Sequence, residues 1–315
     1  MLNQESVELF DHTCQFAENF SMTQHLVAGG RILDAGVHAA GCLDAGLLLA
    51  RFCMGDQADI SLVPLDEERF AVPNGVFVRT DAPLLSCLGA QYAGWPVQSK
   101  DFFAMASGPM RLMRGREEIL VELQLAEEGP AVVGVLESDQ IPGEEVVQSI
   151  AEECGVQTDG VHLAVAPSFS IAGSIQVVAR SIETALHKLH ALKFDVRSVV
   201  SATGCSPAPP PAKPGDTVGG IGRTNDAMLY GAHVTLWVRC DDQCVETVIE
   251  DVPSSSSKDH GRPFAVVFKD YDHDFYKVDP MLFSPARITI HNLQSGRTFK
   301  AGQFEPNILN DSFLS

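Results

Sequence analysis

The segment SIAGSIQVVARSIETALHKLHAL, residues 170–192, decides how this chain is interpreted. Its apolar residues recur every three or four positions and predict one continuous amphipathic helix with a stripe facing a core. Arg180 and Glu183 are three residues apart, so they are neighbours on one face that borders this stripe. Such a pair is either a general base held beside a fixed cation or an ordinary ion pair on a helix surface. The spacing alone leaves both interpretations open.

Short strands and helices alternate on both sides of this segment. Helices are expected at LDAGLLLARFCMG (43–55), PLLSCLGAQYAGW (83–95) and IPGEEVVQSIAEECG (141–155). Strands are expected at RILDAGVHA (31–39), ADISLVPL (58–65), EEILVEL (117–123), VHLAVAPS (161–168), HVTLWVRC (233–240), FAVVFKD (264–270) and ARITIHNL (286–293). Asn74-Gly75 predicts a hairpin turn. Paired strands without a regular βαβ rhythm favour the α+β class.

Length, charge and cysteine content exclude several classes of protein. A chain of 315 residues with 45% apolar and 20% charged residues is typical of a globular protein. Its net charge of −19 argues against a nucleic-acid binder and against an anionic membrane surface, and no apolar run is long enough to span a bilayer. The eight scattered cysteines indicate reduced thiols and a cytoplasmic location. The one close pair, Cys240 and Cys244, has no second pair, so no metal site is expected.

Four further stretches are rich in turn-forming or polar residues. GDTVGGIGRTND (215–226) lacks the lysine of a phosphate-binding loop and the third glycine of a dinucleotide fingerprint, so a tight turn is expected there. SGPMR (107–111) is a tight turn followed by two cations, Arg111 and Arg114, and it is either a site for an anion or a carbonyl group or only a turn. SPAPPPAKPGD (206–216) is expected to be an extended connector or an ordered loop. SSSSKDHGR (254–262) is expected to be a flexible tip.

Six segments together resemble the methenyltetrahydromethanopterin cyclohydrolases: LDAGLLLARFCMG (43–55), AQYAGWPV (90–97), FFAMASGPMR (102–111), SIAGSIQVVARSIETALHKL (170–189), GRTNDAMLYG (222–231) and YDHDFYKVDPMLFSPA (271–286). The last two are long and unusual in composition. The resemblance implies two intermixed α/β-type domains with the pterin in a cleft between them. Their approximate ranges are residues 1–140 and 141–315. It also implies a homotrimer.

The resemblance further implies an enzyme of one-carbon metabolism. The family interconverts 5,10-methenyl-tetrahydromethanopterin plus water with 5-formyl-tetrahydromethanopterin, without metal or separate cofactor. Archaeal members serve methanogenesis, and bacterial members serve formaldehyde oxidation. The family pattern places the general base on Glu183 and its geometric support on Arg180. Because amide and acid groups suit the donor–acceptor edge of a pterin, substrate binding is assigned to Ser107, Gly108, Arg223, Thr224, Asn225 and Asp226.

Three other functions stay open at this point. A cyclohydrolase acting on a folate-type methenyl pterin would use the same residues, since they suit either head group. A non-catalytic carrier or sensor of reduced pterins would be expected to lack the Arg180 and Glu183 pair, and both residues are present. A purely structural trimer would not need polar residues beside the helix stripe. His187, one turn beyond Glu183, is either a proton relay or an exposed histidine.

Overall fold

Two six-stranded mixed sheets organise the chain, which confirms the expected α+β class. A computed structural model describes residues 1–314. The chain divides into two compact units: the first comprises Met1–Asp59 and Leu85–Gln176, and the second comprises Ile60–Leu84 and the chain from Val177 onward. It therefore passes between the units after residues 59, 84 and 176. No division falls near residue 140, because the strands on either side of that position are neighbours in one sheet.

The strands are, in chain order, β1 Thr23–Val27, β2 Gly30–Asp34, β3 Asp59–Pro64, β4 Asn74–Thr80, β5 Trp95–Gln98, β6 Phe103–Ser107, β7 Val132–Glu137, β8 Val161–Ala166, β9 Val199–Pro207, β10 His233–Val238, β11 Arg287–Asn292 and β12 Thr298–Gly302. The helices are α1 Leu2–Gln15, α2 Leu43–Cys53, α3 Glu67–Phe70, α4 Met110–Arg114, α5 Glu118–Leu123, α6 Glu144–Cys154, α7 Ile171–Val178, α8 Ser181–Ala191, α9 Thr217–Gly231, α10 Asp242–Glu246, α11 Phe264–Asp270 and α12 Pro306–Phe313. A π-helix spans Leu84–Gln91.

The first sheet has the strand order β1-β2-β8-β7-β6-β5. Its central strands β2, β8 and β7 are parallel, and the outer strands are antiparallel to their neighbours. All six residues of β8 and five of the six in β7 are buried, which is the pattern of parallel strands covered on both faces. Helix α6 packs its apolar side into the same core through Val146, Val147 and Ile150.

The second sheet has the strand order β12-β11-β10-β9-β4-β3. Strands β10 and β11 are parallel, whereas β9 is antiparallel to both β10 and β4. Helix α8 packs against β9 and β10. A Cβ atom on Gly204 of β9 would lie 2.3 Å from the hydroxyl oxygen of Ser181. Gly204 therefore has no room for a side chain and lets the start of α8 approach the sheet closely.

The segment 170–192 forms two helices, α7 and α8, so the expectation of one continuous helix is wrong. The break lies at Arg180, whose backbone has φ −86° and ψ 8°. The Arg180 N–H bonds to the carbonyl of Val177 at 3.1 Å, which closes α7 with a tighter turn, and α8 begins when Thr184 N–H bonds to Arg180 O at 3.0 Å. Periodicity misses this break because both helices bury the same apolar stripe.

Four other stretches differ in type from their expected structure. The glycine-rich residues 217–226 belong to α9 rather than to a tight turn, because the Asp216 carboxylate accepts the Gly219 N–H at 2.8 Å and caps the helix. The stretches at 117–123 and 264–270 form helices α5 and α11 rather than strands. Asn74-Gly75 begins β4 rather than joining two strands, since α3 lies between β3 and β4.

Candidate active site

Arg180 and Glu183 are both buried at the start of α8. Arg180 is 6% exposed and Glu183 is 5% exposed, so the pair is not an ordinary ion pair on a helix surface. Arg180 is the N-cap residue and Glu183 lies in the first turn. A carboxylate at this position interacts favourably with the unpaired N–H groups of the helix start. The sheet contact at Gly204 fixes this helix start within the second unit.

Lys188 is a second buried cation on α8 that the sequence analysis did not single out. It is 1% exposed, and its ammonium group donates hydrogen bonds to the Ser256 hydroxyl at 3.0 Å and to the carbonyl of Met281. Burial lowers the pKa of Lys188 to about 8, although Asp279 and Asp251 oppose the shift. These two hydrogen bonds of Lys188 connect α8 to the chain segments around Ser256 and Met281. His187 is half-buried, so its exposure does not decide between a proton relay and an exposed histidine.

The four candidate residues on α9 are held by contacts within the second unit. The Thr224 hydroxyl donates to Gly220 O at 2.9 Å, and the Asn225 amide donates to Ile221 O at 2.9 Å. The Arg223 guanidinium donates to the carbonyl of Pro211 at 2.9 Å, which anchors the proline-rich connector. Helix α9 also contacts the end of α7, since Val177 and Met228 share an apolar cluster. The structure thus places α9 beside the break that carries Arg180, and substrate contacts of these residues stay a prediction.

Asp226 is a fully buried carboxyl group on α9. One of its oxygens accepts the backbone N–H of Phe264 at 2.7 Å. Burial raises the pKa of Asp226 to about 7, while Ser312 and the Phe264 N–H act in the opposite direction. The folded state therefore holds a proton here that an unfolded chain would release near pH 4.

We expect the stability contributed by protonated Asp226 to be fully present below about pH 4 and to be lost as pH rises to about 7. The free energy of unfolding should fall by up to about 1.4 kcal/mol per pH unit in this window. Asp226→Asn should remove this dependence and be more stable than the parent at pH 8. Urea unfolding at pH 5 and pH 8 measures the difference, with exposed Asp270→Asn as control. A difference between Asp226→Asn and the parent that does not change with pH would contradict the expectation.

Ser107 and Gly108 lie in the first unit, at the end of β6. The Ser107 hydroxyl lies 3.3 Å from the Cys53 sulfur, and Ser107 is buried. Gly108 has φ +106°, a conformation that side chains disfavour, and a Cβ there would lie 3.0 Å from the carbonyl oxygen of Val133. Its N–H bonds to Ala90 O at 2.8 Å at the end of the π-helix. At Gly108 the backbone of the turn therefore lies so close to the backbone of β7 that a side chain would not fit.

Arg111 fixes the same turn from inside the first unit. It is fully buried, and one terminal nitrogen donates to Gly89 O at 2.7 Å and to the carbonyls of Leu88 and Ala90 at 3.3 Å. Its remaining nitrogens bind both oxygens of Glu117. Arg111 therefore holds backbone carbonyls and a carboxylate of its own unit.

Asp34 is another buried carboxylate that the sequence analysis did not single out. It is the last residue of β2 and accepts four backbone N–H groups, from Gly36, Val37, His38 and Ala39, at 2.7–2.9 Å. Burial alone would raise the pKa of Asp34, but these four hydrogen bonds outweigh burial and lower it. The loop after β2 is thereby fixed next to Ser170, because a Cβ on Gly36 would lie 2.6 Å from the Ser170 hydroxyl oxygen.

The described chain has neither a cluster of metal-ligating side chains nor a membrane-spanning helix. No group of three or more His, Cys, Asp or Glu side chains in residues 1–314 is placed to hold a metal ion. Within the same residues, no helix has the length and apolarity needed to cross a bilayer.

A carboxylate and an arginine that are both buried at one helix start are compatible with an enzyme that transfers a proton. Comparisons with known proteins narrow this class. A family model described as Cyclohydrolase (MCH) matches residues 1–313.

Individual relatives give the same result. A protein of Rhodopirellula baltica named methenyltetrahydromethanopterin cyclohydrolase is 57% identical, with 99% of this chain and 94% of that protein covered. Proteins of the same name from Methylobacillus flagellatus and Methanococcoides burtonii are 41% and 38% identical over 99% of this chain, and cover 95% and 98% of their own lengths. The chain belongs to the cyclohydrolase (MCH) family, which confirms the resemblance found in the sequence.

Proposed function

We propose that this chain interconverts 5,10-methenyl-tetrahydromethanopterin plus water with 5-formyl-tetrahydromethanopterin. The relatives that cover nearly the whole chain carry the name of this cyclohydrolase. The observation that carries the proposal is the burial of Glu183 beside the helix break at Arg180. A folate-type methenyl pterin is the alternative substrate, because the polar residues suit either head group.

Glu183 is the proposed general base. The methenyl carbon between N5 and N10 shares a positive charge, so it is already electrophilic and needs no Lewis acid or separate cofactor. As water attacks this carbon, Glu183 accepts one of its protons, and the C–O bond forms. The C–N10 bond then breaks, N10 takes a proton from Glu183, and the hydroxyl on carbon loses its proton to solvent as the formyl C=O forms. One proton is released for each substrate cation opened.

Arg180 is the proposed positioning group. Its planar guanidinium presents donors in a fixed geometry, which suits holding a carboxylate and a water in place. Its charge also favours the ionised form of a carboxylate that burial would otherwise disfavour. Binding of the pterin is proposed for the Ser107-Gly108 turn and for Arg223, Thr224, Asn225 and Asp226, whose present contacts hold backbone or neighbouring helices.

Arg180→Lys should lower kcat by about tenfold to a hundredfold, because lysine keeps the charge but loses the planar fork that orients the carboxylate. KM should change much less, since the substrate does not depend on Arg180 for most of its binding. Steady-state kinetics on the purified variant measures both values. Arg239→Lys, at an exposed arginine of the same unit, is the matched control. Equal kcat in the two variants would remove the positioning role.

The activity itself is tested by following the absorbance of the methenyl chromophore after mixing with purified protein. Rapid loss with 5,10-methenyl-tetrahydromethanopterin, and much slower loss with the folate analogue, is the expected result. Equal or faster loss with the folate analogue would assign the folate-type substrate. Tight binding of both pterins without loss of absorbance would leave a non-catalytic binder.

Assembly and location complete the proposal. We propose a homotrimer, by analogy with the family, and a molar mass of three chains by light scattering would support it. All eight cysteines are free thiols, which persist in a reducing compartment, so we propose a cytoplasmic location.

A further inference from the structure

A cavity of about 280 Å³ lies within the second unit. Its lining includes Arg69, Cys205, His233, Arg287 and Phe304. Three of these stand in one row across β9, β10 and β11, because His233 is paired in register with both Cys205 and Arg287. Side chains that are opposite one another in neighbouring strands project from the same face of a sheet. The row therefore forms the floor of the cavity.

This face of the sheet points away from α8. Gly204, which precedes Cys205 in β9, lies against Ser181 of α8. Successive residues of a strand face opposite sides. The cavity and the helix start that carries Glu183 are therefore on opposite sides of the second sheet, and a ligand in the cavity would be separate from the reaction.

The cavity is rich in positive charge, although the chain as a whole has a net charge of −19. Neither Arg69 nor Arg287 forms an ion pair with a carboxylate in the described part of the chain. Burial, followed by the charges of Arg287, Lys300 and Arg69, lowers the pKa of His233 to about 4. The imidazole is therefore neutral near pH 7, and the two guanidinium groups carry the charge of the lining.

Aromatic contacts hold these guanidinium groups without neutralising them. The Phe304 ring centroid lies 4.3 Å from the central guanidinium carbon of Arg69 and 5.9 Å from that of Arg287. Phe70 packs edge-on against the same ring at 4.9 Å. Cation–π contacts position a guanidinium by its face, which leaves the N–H donors at its edge for a ligand. The His233 ring is fixed by its Nε2 atom, 3.0 Å from the Thr289 hydroxyl.

We propose that this cavity binds a compact oxyanion of the phosphate class, either inorganic phosphate or a small phosphomonoester, through Arg69 and Arg287. Guanidinium donors match the oxygen spacing of phosphate and form short, charge-assisted hydrogen bonds with it. The volume equals that of about nine water molecules. It lies just below the range of roughly 300–1,000 Å³ for drug-sized ligands, which suits an ion or a small phosphorylated molecule.

Isothermal titration of the full chain with inorganic phosphate, and separately with glycerol phosphate, tests this proposal at constant ionic strength. Saturable binding is expected in the parent protein. Arg69→Gln and Arg287→Gln should each weaken it by roughly tenfold or more, because each removes a charge-assisted hydrogen-bond donor. Exposed Arg262→Gln, in the same unit, should bind like the parent. Phosphate should also shift the imidazole NMR signals of His233 in the parent protein, a readout that needs no variant to fold.

Two results would overturn the proposal. The first is the absence of saturable binding in the parent protein; if Arg287→Gln then also loses oligomers, the cavity is assigned to a carboxylate of another copy. The second is parent-like affinity in both arginine variants with an unmoved His233 signal, which would place the anion elsewhere. Binding of both inorganic phosphate and glycerol phosphate, or of glycerol phosphate alone, would support the proposal. Which of the two patterns is observed would identify the source of the anion.

Discussion

Glu183→Gln is expected to lower kcat by about 10²–10⁴-fold while the pterin still binds. Glutamine keeps the shape of the side chain and both polar positions, but its amide does not accept a proton from water at neutral pH. Because the substitution removes only the proton transfer proposed for Glu183, KM should stay within a few-fold of the parent. Burst and steady-state absorbance of the methenyl chromophore give kcat, and titration of the variant with substrate gives the affinity.

The matched control for this substitution is Glu250→Gln, at an exposed glutamate of the same unit. It should leave kcat unchanged. A Glu183→Gln enzyme with a rate near that of the control would remove the base assignment, while the family membership would stand. Thermal melting of both variants separates a loss of proton transfer from a loss of folded protein.

Arg111→Ala should reduce the free energy of unfolding by about 3–5 kcal/mol, the largest stability effect expected in this chain. The substitution leaves Glu117 mostly buried without its cation, and it removes the donor that serves three carbonyls at the end of the π-helix. An unsatisfied buried polar group costs about 1–3 kcal/mol. Urea unfolding followed by circular dichroism measures the change.

Two variants separate the buried network from a general effect of arginine. Arg116→Ala removes an arginine with a 63% exposed side chain, whose contact with Glu153 is 3.5 Å, and should cost less than about 1 kcal/mol. The double variant Arg111→Met, Glu117→Leu removes both charges and should recover part of the loss, since replacement of a whole buried pair is often tolerated. Equal destabilisation by Arg111→Ala and Arg116→Ala would contradict this account.

The parts of the fold that could be predicted are those in which a local sequence pattern is compatible with only one type of secondary structure. Helix α6 is predicted because Pro142 lies near its start, acidic residues fill its first turn and Gly155 follows it; in the structure Gly155 ends the helix with φ +70°. The buried strand β8 was predicted from a continuous apolar run. The family was predicted from long motifs, which carry more information than periodicity does.

The parts that could not be predicted depend on contacts with distant residues. In a stretch as short as 264–270, apolar residues fit either a strand or a helix, and the contact of α11 with α9 favours the helix. Ser254 lies in a stretch expected to be a flexible tip, yet it is fully buried and its hydroxyl donates to the carbonyl of Leu229. The roles of Lys188 and Asp34 likewise depend on partners that no local spacing reveals.

The repeated passage of the chain between its two units has a consequence for synthesis on the ribosome. Strand β4 ends at Thr80, and its neighbour β3 is made before it, but its second partner β9 begins at Val199, about 120 residues later. At roughly 5–20 residues per second, β3 and β4 wait about 6–24 s before β9, which joins them to the rest of the sheet, has been made. During that delay the apolar residues of β4, among them Val76 and Val78, have only β3 beside them in the sheet. Nascent chains of this protein are therefore expected to depend on holding chaperones, and slower translation should increase that dependence.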